Sequence, residues 1–416
     1  MHSGKGSVRR WSAAAVAMAA GLSARGAGFD LPDQDAFVIA RGMAFVATAD
    51  NPSAIYYNPA GITQLPGNNL RGGIYGIDLD PSFKSSGGGS FDNQDKLHAL
   101  PQLYFTHSLD QMPLSFGLGI YSPFGLGLRW PQDTGFRTVG TESKLTCITI
   151  NPVAAWQIVP GFSVGAGITV NYAQADLRQG LFSPDQPTDS FRFVGSGWDV
   201  GYNLGVRWQP CDCIAFGATF RSGTTVDLEG HTHAHNDVGP FPVFSERIPA
   251  HGNFPFPMKG IFGVSYRPTP QWNLEFNADY TTWSDLGTVT IHQASPGVVT
   301  PQNVPIVLDW QSSWYYEFGV TRYLGKGWHV SGGYIYNENS VPDKHYTPLV
   351  ADLDRHFLSV GVGLKGKRYD FDVAYQFGYG PTRTVSGSAP SLAGQTADGR
   401  YDFISHALAV SAQVHF

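Results

Sequence analysis

Residues 163–173 read Ser-Val-Gly-Ala-Gly-Ile-Thr-Val-Asn-Tyr-Ala, and their alternation decides the fold. Val164, Ala166, Ile168, Val170 and Tyr172 fall on even positions; Ser163, Gly165, Gly167, Thr169, Asn171 and Ala173 fall on odd ones. Successive side chains of a strand point to opposite faces, so this stretch has one apolar face and one small or polar face. The period recurs at 114–128, which places Leu114, Phe116, Leu118, Ile120, Phe124, Leu126 and Leu128 on one face, and again at 261–267 and 357–364.

A soluble sandwich alternates in the same way, with its apolar face inward. Two features favour a membrane barrel instead. The second face is built from Gly, Ser, Thr and Asn with few charges, which suits a lumen. Aromatic residues also collect near strand ends (Trp130, Trp208, Tyr280, Trp283, Trp314, Tyr323, Trp328), as an interfacial girdle requires. The final stretch, with Leu408, Val410, Ala412, Val414 and the terminal Phe416 on one face, resembles the assembly signal of outer-membrane barrels.

Counting alternating segments gives about fourteen strands, near 70–80, 97–107, 113–130, 143–157, 161–178, 196–208, 213–228, 256–267, 271–283, 307–323, 327–337, 355–366, 369–379 and 401–416. An even count is what a single-chain bacterial barrel requires. Short connections (Leu109–Pro113, Val159–Gly161, Gln209–Cys213, Pro268–Pro270, Gly325–Gly327) alternate with long ones (Asp80–Lys96, Gly180–Gly195, Glu229–Phe254, Gly287–Ile306, Asn339–Asp354, Pro381–Arg400). Periplasmic turns and extracellular loops would differ in this way. The expected fold is therefore all-β: a 14-stranded antiparallel transmembrane β-barrel.

Composition agrees. Of 416 residues, 14% are charged, 13% are aromatic and 50 are Gly, with a mean hydropathy of -0.15; no polar linker divides the chain into soluble domains. No basic block suggests nucleic acid. Lys5, Arg9 and Arg10 precede the apolar run Trp11–Leu22, followed by Ala24-Arg25-Gly26, so residues 1–26 read as a secretory signal peptide. The mature chain would begin near Ala27 with a charge of about -10. Three cysteines (Cys147, Cys211, Cys213) are too few for a disulfide framework, and Cys-Asp-Cys reads as an incidental turn feature.

Residues 27–69 do not alternate, and 70–416 form the barrel. The stretch 35–50 reads as a short helix. Asn51 and Asn58 are good N-caps, each followed by Pro at the first helical position, so 51–57 and 58–63 read as two abutting helical turns. A compact irregular segment at the start of a barrel would plug its lumen.

Three competing motifs lack their structural context. Gly161-Phe-Ser163-Val-Gly165 matches a nucleophile elbow, but it opens a strand rather than a strand–turn–helix. Gly361-Val-Gly363-Leu-Lys-Gly366 has no helix after it to serve a dinucleotide. His231, His233 and His235 read as a solvated loop, not a metal site, and no cofactor is expected.

The start Ala27-Gly-Phe29-Asp, the plug motif Asn58-Pro59-Ala60, the fourteen strands and the terminal Phe resemble the long-chain fatty acid transporter family, which includes aromatic-hydrocarbon channels. Residues 122–128, 279–286 and 340–361 match it further, and the likeness spans the mature chain. The resemblance implies a monomeric barrel with an N-terminal hatch, which takes up hydrophobic molecules and releases them sideways into outer-membrane lipid at a kinked third strand. It implies hatch roles for Asn58, Pro59, Ala60 and Phe29, and places the lateral opening at Pro123 and Gly125. Pro123 cannot donate to a strand ladder and Gly125 tolerates bent backbone, which supports a break there or an ordinary bulge. Arg178 is the candidate polar contact to substrate, whereas Gln311 and Glu317 stand where a second basic residue belongs. Fatty acids and neutral or aromatic hydrocarbons both remain open as substrates. The competing classes are an outer-membrane lipid-modifying enzyme and a surface receptor or adhesin acting through its loops.

Overall fold

A computed structural model describes residues 28–237, 239, 242–350 and 352–416. The expected leader, 1–26, lies outside them. The chain builds a closed antiparallel barrel of 14 strands. They are β1 (Asn68–Ser85), β2 (Leu97–Ser108), β3 (Leu114–Tyr121 and Gly125–Arg129), β4 (Glu142–Val159), β5 (Phe162–Gln179), β6 (Asp189–Cys211) and β7 (Ile214–Arg221 and Thr224–Asn236). Next come β8 (Phe244–Phe256 and Lys259–Thr269), β9 (Trp272–Thr281 and Thr288–Gln293), β10 (Asn303–Val307 and Ser313–Gly325) and β11 (Trp328–Asn337). The last three are β12 (Arg355–Lys365), β13 (Tyr369–Val385) and β14 (Gly399–His415). Strand β14 returns to β1, in register from Asn69 opposite His415 to Ser85 opposite Gly399, so the sheet closes on itself.

The alternation works as the sequence implies. On β5, Ile168 is 54% exposed while Ser163, Thr169 and Asn171 are buried inside. Leu408 and Val410 of β14 likewise face outward. Two of the proposed girdle residues do not. Trp130 and Trp283 are fully buried, whereas Trp208, Trp314 and Trp328 stand on the outer surface. Trp130 donates its indole N–H to the Pro348 carbonyl at 2.9 Å, so it fastens a loop.

Residues 231–235 also differ from expectation. They belong to the second half of β7, because most of the stretch 229–254 is a β7–β8 hairpin rather than a loop. Cys211 and Cys213 are joined as a disulfide, not left as an incidental turn pair.

The N-terminal segment lies inside the barrel with almost every side chain from Ala36 to Ile62 buried. Helix α1 (Ala36–Ala40) is capped by Asp35, which accepts from the amides of Phe37 and Val38. It runs for only five residues. Gly42 (φ +60°) and Met43 (φ 63°) turn the chain away, so the helix expected over 35–50 stops early. A Cβ at Gly42 would lie 2.7 Å from the Tyr334 amide nitrogen, and this close approach to the wall requires Gly. Asn51 caps as expected: its Oδ1 accepts from the Ser53 amide at 2.8 Å and its carbonyl from the Ala54 amide at 3.0 Å, at the turn that leads into α2 (Ala54–Tyr57). Asn58 does cap the 3₁₀ turn Pro59–Gln64, with Pro at its start, as the sequence implies.

The small inward face therefore has a specific use. Gly165 and Gly205 stand where Asn58 and Pro59 press against β5 and β6; a Cβ on Gly205 would meet Asn58 Oδ1 at 2.2 Å. The expectation of few lumen charges is wrong. Arg71, Lys259, Glu275, Asp279, Glu317, His329 and Asp372 all point inward, because each finds a partner on the plug or a neighbouring strand.

Candidate functional site

The third strand decides the geometry. Tyr121 pairs with Thr149 on β4 and Gly125 with Thr146, so three residues (Ser122, Pro123, Phe124) stand opposite two. That extra residue is a bulge, and it flips the strand. Before it, Phe116, Leu118 and Ile120 face outward and Tyr121 inward. After it, Leu128 is buried in the lumen with Phe124, so 114–128 does not keep its apolar residues on one face.

The bulge also opens the wall. Strand β2 pairs with β3 only from Leu103 opposite Ile120 to Ser108 opposite Ser115. Residues 97–102 of β2 have no β3 partner among the described residues. In that gap lies a cavity of about 590 Å³, lined by inward residues such as Tyr75, Ile77 and Leu145 and by outward ones such as Ile120 and Ile148. His98 reaches across it: a Cβ on Gly127 would lie 2.3 Å from the His98 ring.

The N-terminal tail closes the inner side. The Leu31 amide donates to the Pro123 carbonyl at 2.9 Å, and the Gly125 amide donates to the Phe29 carbonyl at 3.0 Å. Asp30 and Phe124 thus form a short antiparallel bridge, and Gln34 adds a bond from its amide to the Ser122 carbonyl at 2.7 Å. Phe29 sits among five aromatic rings, with centroids 4.8 Å away for Trp283, 5.7 Å for Trp310 and 5.9 Å for Phe124. Phe254 and Phe256 complete the group at 5.6 and 6.0 Å.

Breaks in the strands supply most of these rings. Phe124 lies in the β3 bulge, Phe256 ends the first half of β8, and Trp283 and Trp310 lie in the breaks of β9 and β10. A break turns its side chain out of the strand's alternation. That is why period-two reading assigned Trp283 to the outer girdle and overlooked Trp310. The signal was local: Pro257 and Thr282–Trp283 interrupt otherwise regular segments.

Of the candidate residues, Phe29, Pro123 and Gly125 come together here. Asn58, Pro59 and Ala60 do not; they hold the plug to β5 and β6. The Asn58 amide donates to the carbonyls of Val46 (2.8 Å) and Val206 (3.0 Å), while its oxygen accepts from the Ala60 amide. Asn58→Asp keeps the acceptor and removes both donations. It should weaken plug docking by about 1–3 kcal/mol, read as faster amide hydrogen exchange over 54–64. Arg178 is a correction: it is exposed on the outer side of β5 and takes no part in the cavity, since it sits one position out of phase with Ala173 and Ala175 inside.

The cavity wall also carries Asp33 of the tail, whose Oδ1 has no hydrogen-bond partner among the described residues. Burial, assisted by the nearby Asp30 carboxylate, pushes its pKa from the ordinary 3.8 up to about 7. The docked tail therefore holds a proton that an undocked tail releases. Docking should be tightest below pH 4 and weaken as pH rises to about 7. Hydrogen exchange over 28–40 should speed up across that window beyond its intrinsic pH dependence, and Asp33→Asn should remove the excess.

A closed barrel with a filled lumen, an apolar outer face and an apolar cavity that breaches the wall defines a class: barrel proteins that pass hydrophobic molecules. The comparisons agree. The model of the outer membrane protein transport family (OMPP1/FadL/TodX) matches residues 16–416, and the chain belongs to that family. It is an outer-membrane transport protein rather than an enzyme. The long-chain fatty acid transport protein of Escherichia coli K12 is 24% identical over 413 residues, covering 88% of this chain and 92% of that one. Outer membrane protein P1 of Haemophilus influenzae is 23% identical over 329 residues, covering 66% and 69%. Among solved structures, a Pseudomonas aeruginosa FadL homologue superposes with a TM-score of 0.81 at 17% identity, covering 93% of this chain and 99% of that one. The Pseudomonas putida toluene transporter TodX gives 0.74 at 17%, with the same coverage. At these identities the structures show the fold alone.

Proposed function

We propose that this chain is a passive outer-membrane channel for hydrophobic small molecules, either long-chain fatty acids or aromatic and aliphatic hydrocarbons. After removal of 1–26 it would act as a monomer, with 27–69 as a hatch inside a barrel of 70–416. One observation carries the reading: a single cavity is lined by both lumen-facing and outward-facing side chains, at the gap between β2 and β3. A ligand there would gain roughly 25 cal/mol per Å² of apolar surface removed from water. It would leave sideways into lipid without crossing an aqueous exit. The hatch tail, bonded to Pro123 and Gly125, forms the inner boundary that has to shift.

The test is uptake of labelled oleate and toluene by cells that lack their own channel and express this chain. Uptake above empty vector for either ligand supports the proposal. Gly127→Leu should reduce it by about tenfold, because a side chain there collides with His98 in the gap. Uptake that ignores this change in a folded barrel would move the exit elsewhere.

A further inference from the structure

Strand β6 measures the outer face against the bilayer. Trp198, Val200, Tyr202, Leu204, Val206 and Trp208 stand outward on alternate positions, and all are exposed. The ten residues from one Trp to the other, at about 3.4 Å each and tilted by about 40°, rise about 26 Å. That matches the roughly 25 Å apolar band of an outer-membrane barrel. Trp198, its ring 5.0 Å from that of Tyr172 on β5, therefore marks one edge of the band. The connection beyond that edge, 180–188, is one of the long ones, so the edge faces the cell exterior.

Above it a row of basic side chains crosses four strands. Arg178 on β5 stands directly opposite Arg192 on β6, Arg192 opposite His233 on β7, and His233 opposite Arg247 on β8. Arg178, Arg192 and Arg247 are exposed, and His233 is half-buried. Like charges directly opposite on neighbouring strands destabilise a sheet. The protein relieves this one only in part. Asp176 accepts from Arg192, Nε donating to Oδ1 at 2.7 Å, and Glu142, next in the row beyond Arg178, lies 3.7 Å from Arg129. Arg247 donates to His231 Nδ1 at 3.1 Å, which brings no anion. Neither Arg178 nor Arg247 has an ion pair among the described residues.

We propose that this row is a docking site for a phosphate-bearing glycolipid of the outer leaflet. Guanidiniums bind phosphate through paired N–H donors, and the phosphate supplies the negative charge that the row lacks. Three inter-strand spacings make the row about 14 Å long, enough for two phosphate groups side by side. Height selects the class of lipid. Arg192 lies six residues beyond Trp198, about 20 Å along the strand and about 15 Å above the apolar band. A phospholipid headgroup layer adds only about 5–8 Å to the hydrocarbon, so the row stands above it, at the level of phosphates carried on sugars. The site is separate from the cavity: β5 is two strands from the β2–β3 gap, and none of the four residues lines the cavity.

Binding of deep-rough lipopolysaccharide, native and phosphatase-treated, to the purified full-length protein in detergent at low salt tests this. The wild type should prefer the native form by about tenfold or more, and the preference should shrink at high salt. Arg178→Gln combined with Arg247→Gln removes two cations and spares the Arg192–Asp176 pair, so no carboxylate is stranded. It should weaken native glycolipid by about tenfold, roughly a factor of three per exposed charge, and leave the treated form within about twofold. Heat-modifiable migration on gels would verify that the variant is folded. Unchanged affinity for the native form in the folded variant would overturn the proposal, as would an equal loss for both forms. Binding of phosphatidylglycerol by the wild type as tightly as the native glycolipid would overturn the assignment to a sugar-borne phosphate.

Discussion

Deletion of Pro123 alone should leave a folded barrel that has lost oleate and toluene uptake by about tenfold or more. The bulge is one residue too many on β3, so removing one residue restores equal spacing against β4 between Tyr121–Thr149 and Gly125–Thr146. The strand then keeps one parity throughout. Leu126 and Leu128 stay inward, opposite Leu145 and Ser143, and the second half of β3 comes into register with residues 97–102 of β2, whose β3 side is unpaired among the described residues. Every backbone group in the closed gap gains a ladder bond, so the variant should be at least as stable as the parent. Heat-modifiable migration on gels would report folding, and uptake would report closure. Uptake at the parental level in a barrel that migrates as folded would mean that ligands do not leave between β2 and β3.

Arg71→Met should free the plug without unfolding the barrel. Arg71 is buried on β1, its Nε bonded to Asp35 Oδ2 and its Nη2 2.9 Å from Asp35 Oδ1 and 2.8 Å from Asp372 Oδ2. Asp35 is also the cap of α1, so one guanidinium fixes both the start of that helix and its place against β1 and β13. Removing the cation leaves two buried carboxylates, with the His329 ring 2.9 Å from Asp372. Breaking a buried pair from one side costs about 3–5 kcal/mol. The docked plug should open about a hundredfold to several thousandfold more often, read by hydrogen exchange over 36–64. Adding Asp35→Asn should recover part of the loss, because it removes one stranded charge. Recovery would show that electrostatics, not the lost methylene packing, governs the docking.

Much of the barrel was legible because a lipid-facing wall imposes a two-residue period over long runs. Ile168, Val410 and their neighbours obey it, and the strand positions follow. The period fails where the backbone breaks. At Ser122–Phe124 it predicted one continuous face, and past Tyr280 it sent Trp283 outward, because parity is lost at a bulge or a short 3₁₀ turn. The lumen charges were missed for a different reason. Arg71, Lys259 and Asp372 alternate as polar residues should, but their partners Asp35, Asp30 and Asp279 are far away in sequence. Pairing of that kind is a tertiary property that composition cannot display. Arg178 failed through phase: a basic residue near the end of β5 is conspicuous, yet its neighbours Ala173 and Ala175 already occupy the inward positions.

The bulge has a consequence for travel along the strand. Phe116, Leu118 and Ile120 are oily toward the bilayer, and Phe124, Leu126 and Leu128 are oily toward the interior, on the same few turns of chain. One strand thus carries its greasy side from the inside of the wall to the outside, as a Möbius strip carries a line from one face to the other. A molecule taking the proposed route would slide along an apolar face of this strand on both sides of the wall. On the proposed route, passage through the wall would be movement along a surface.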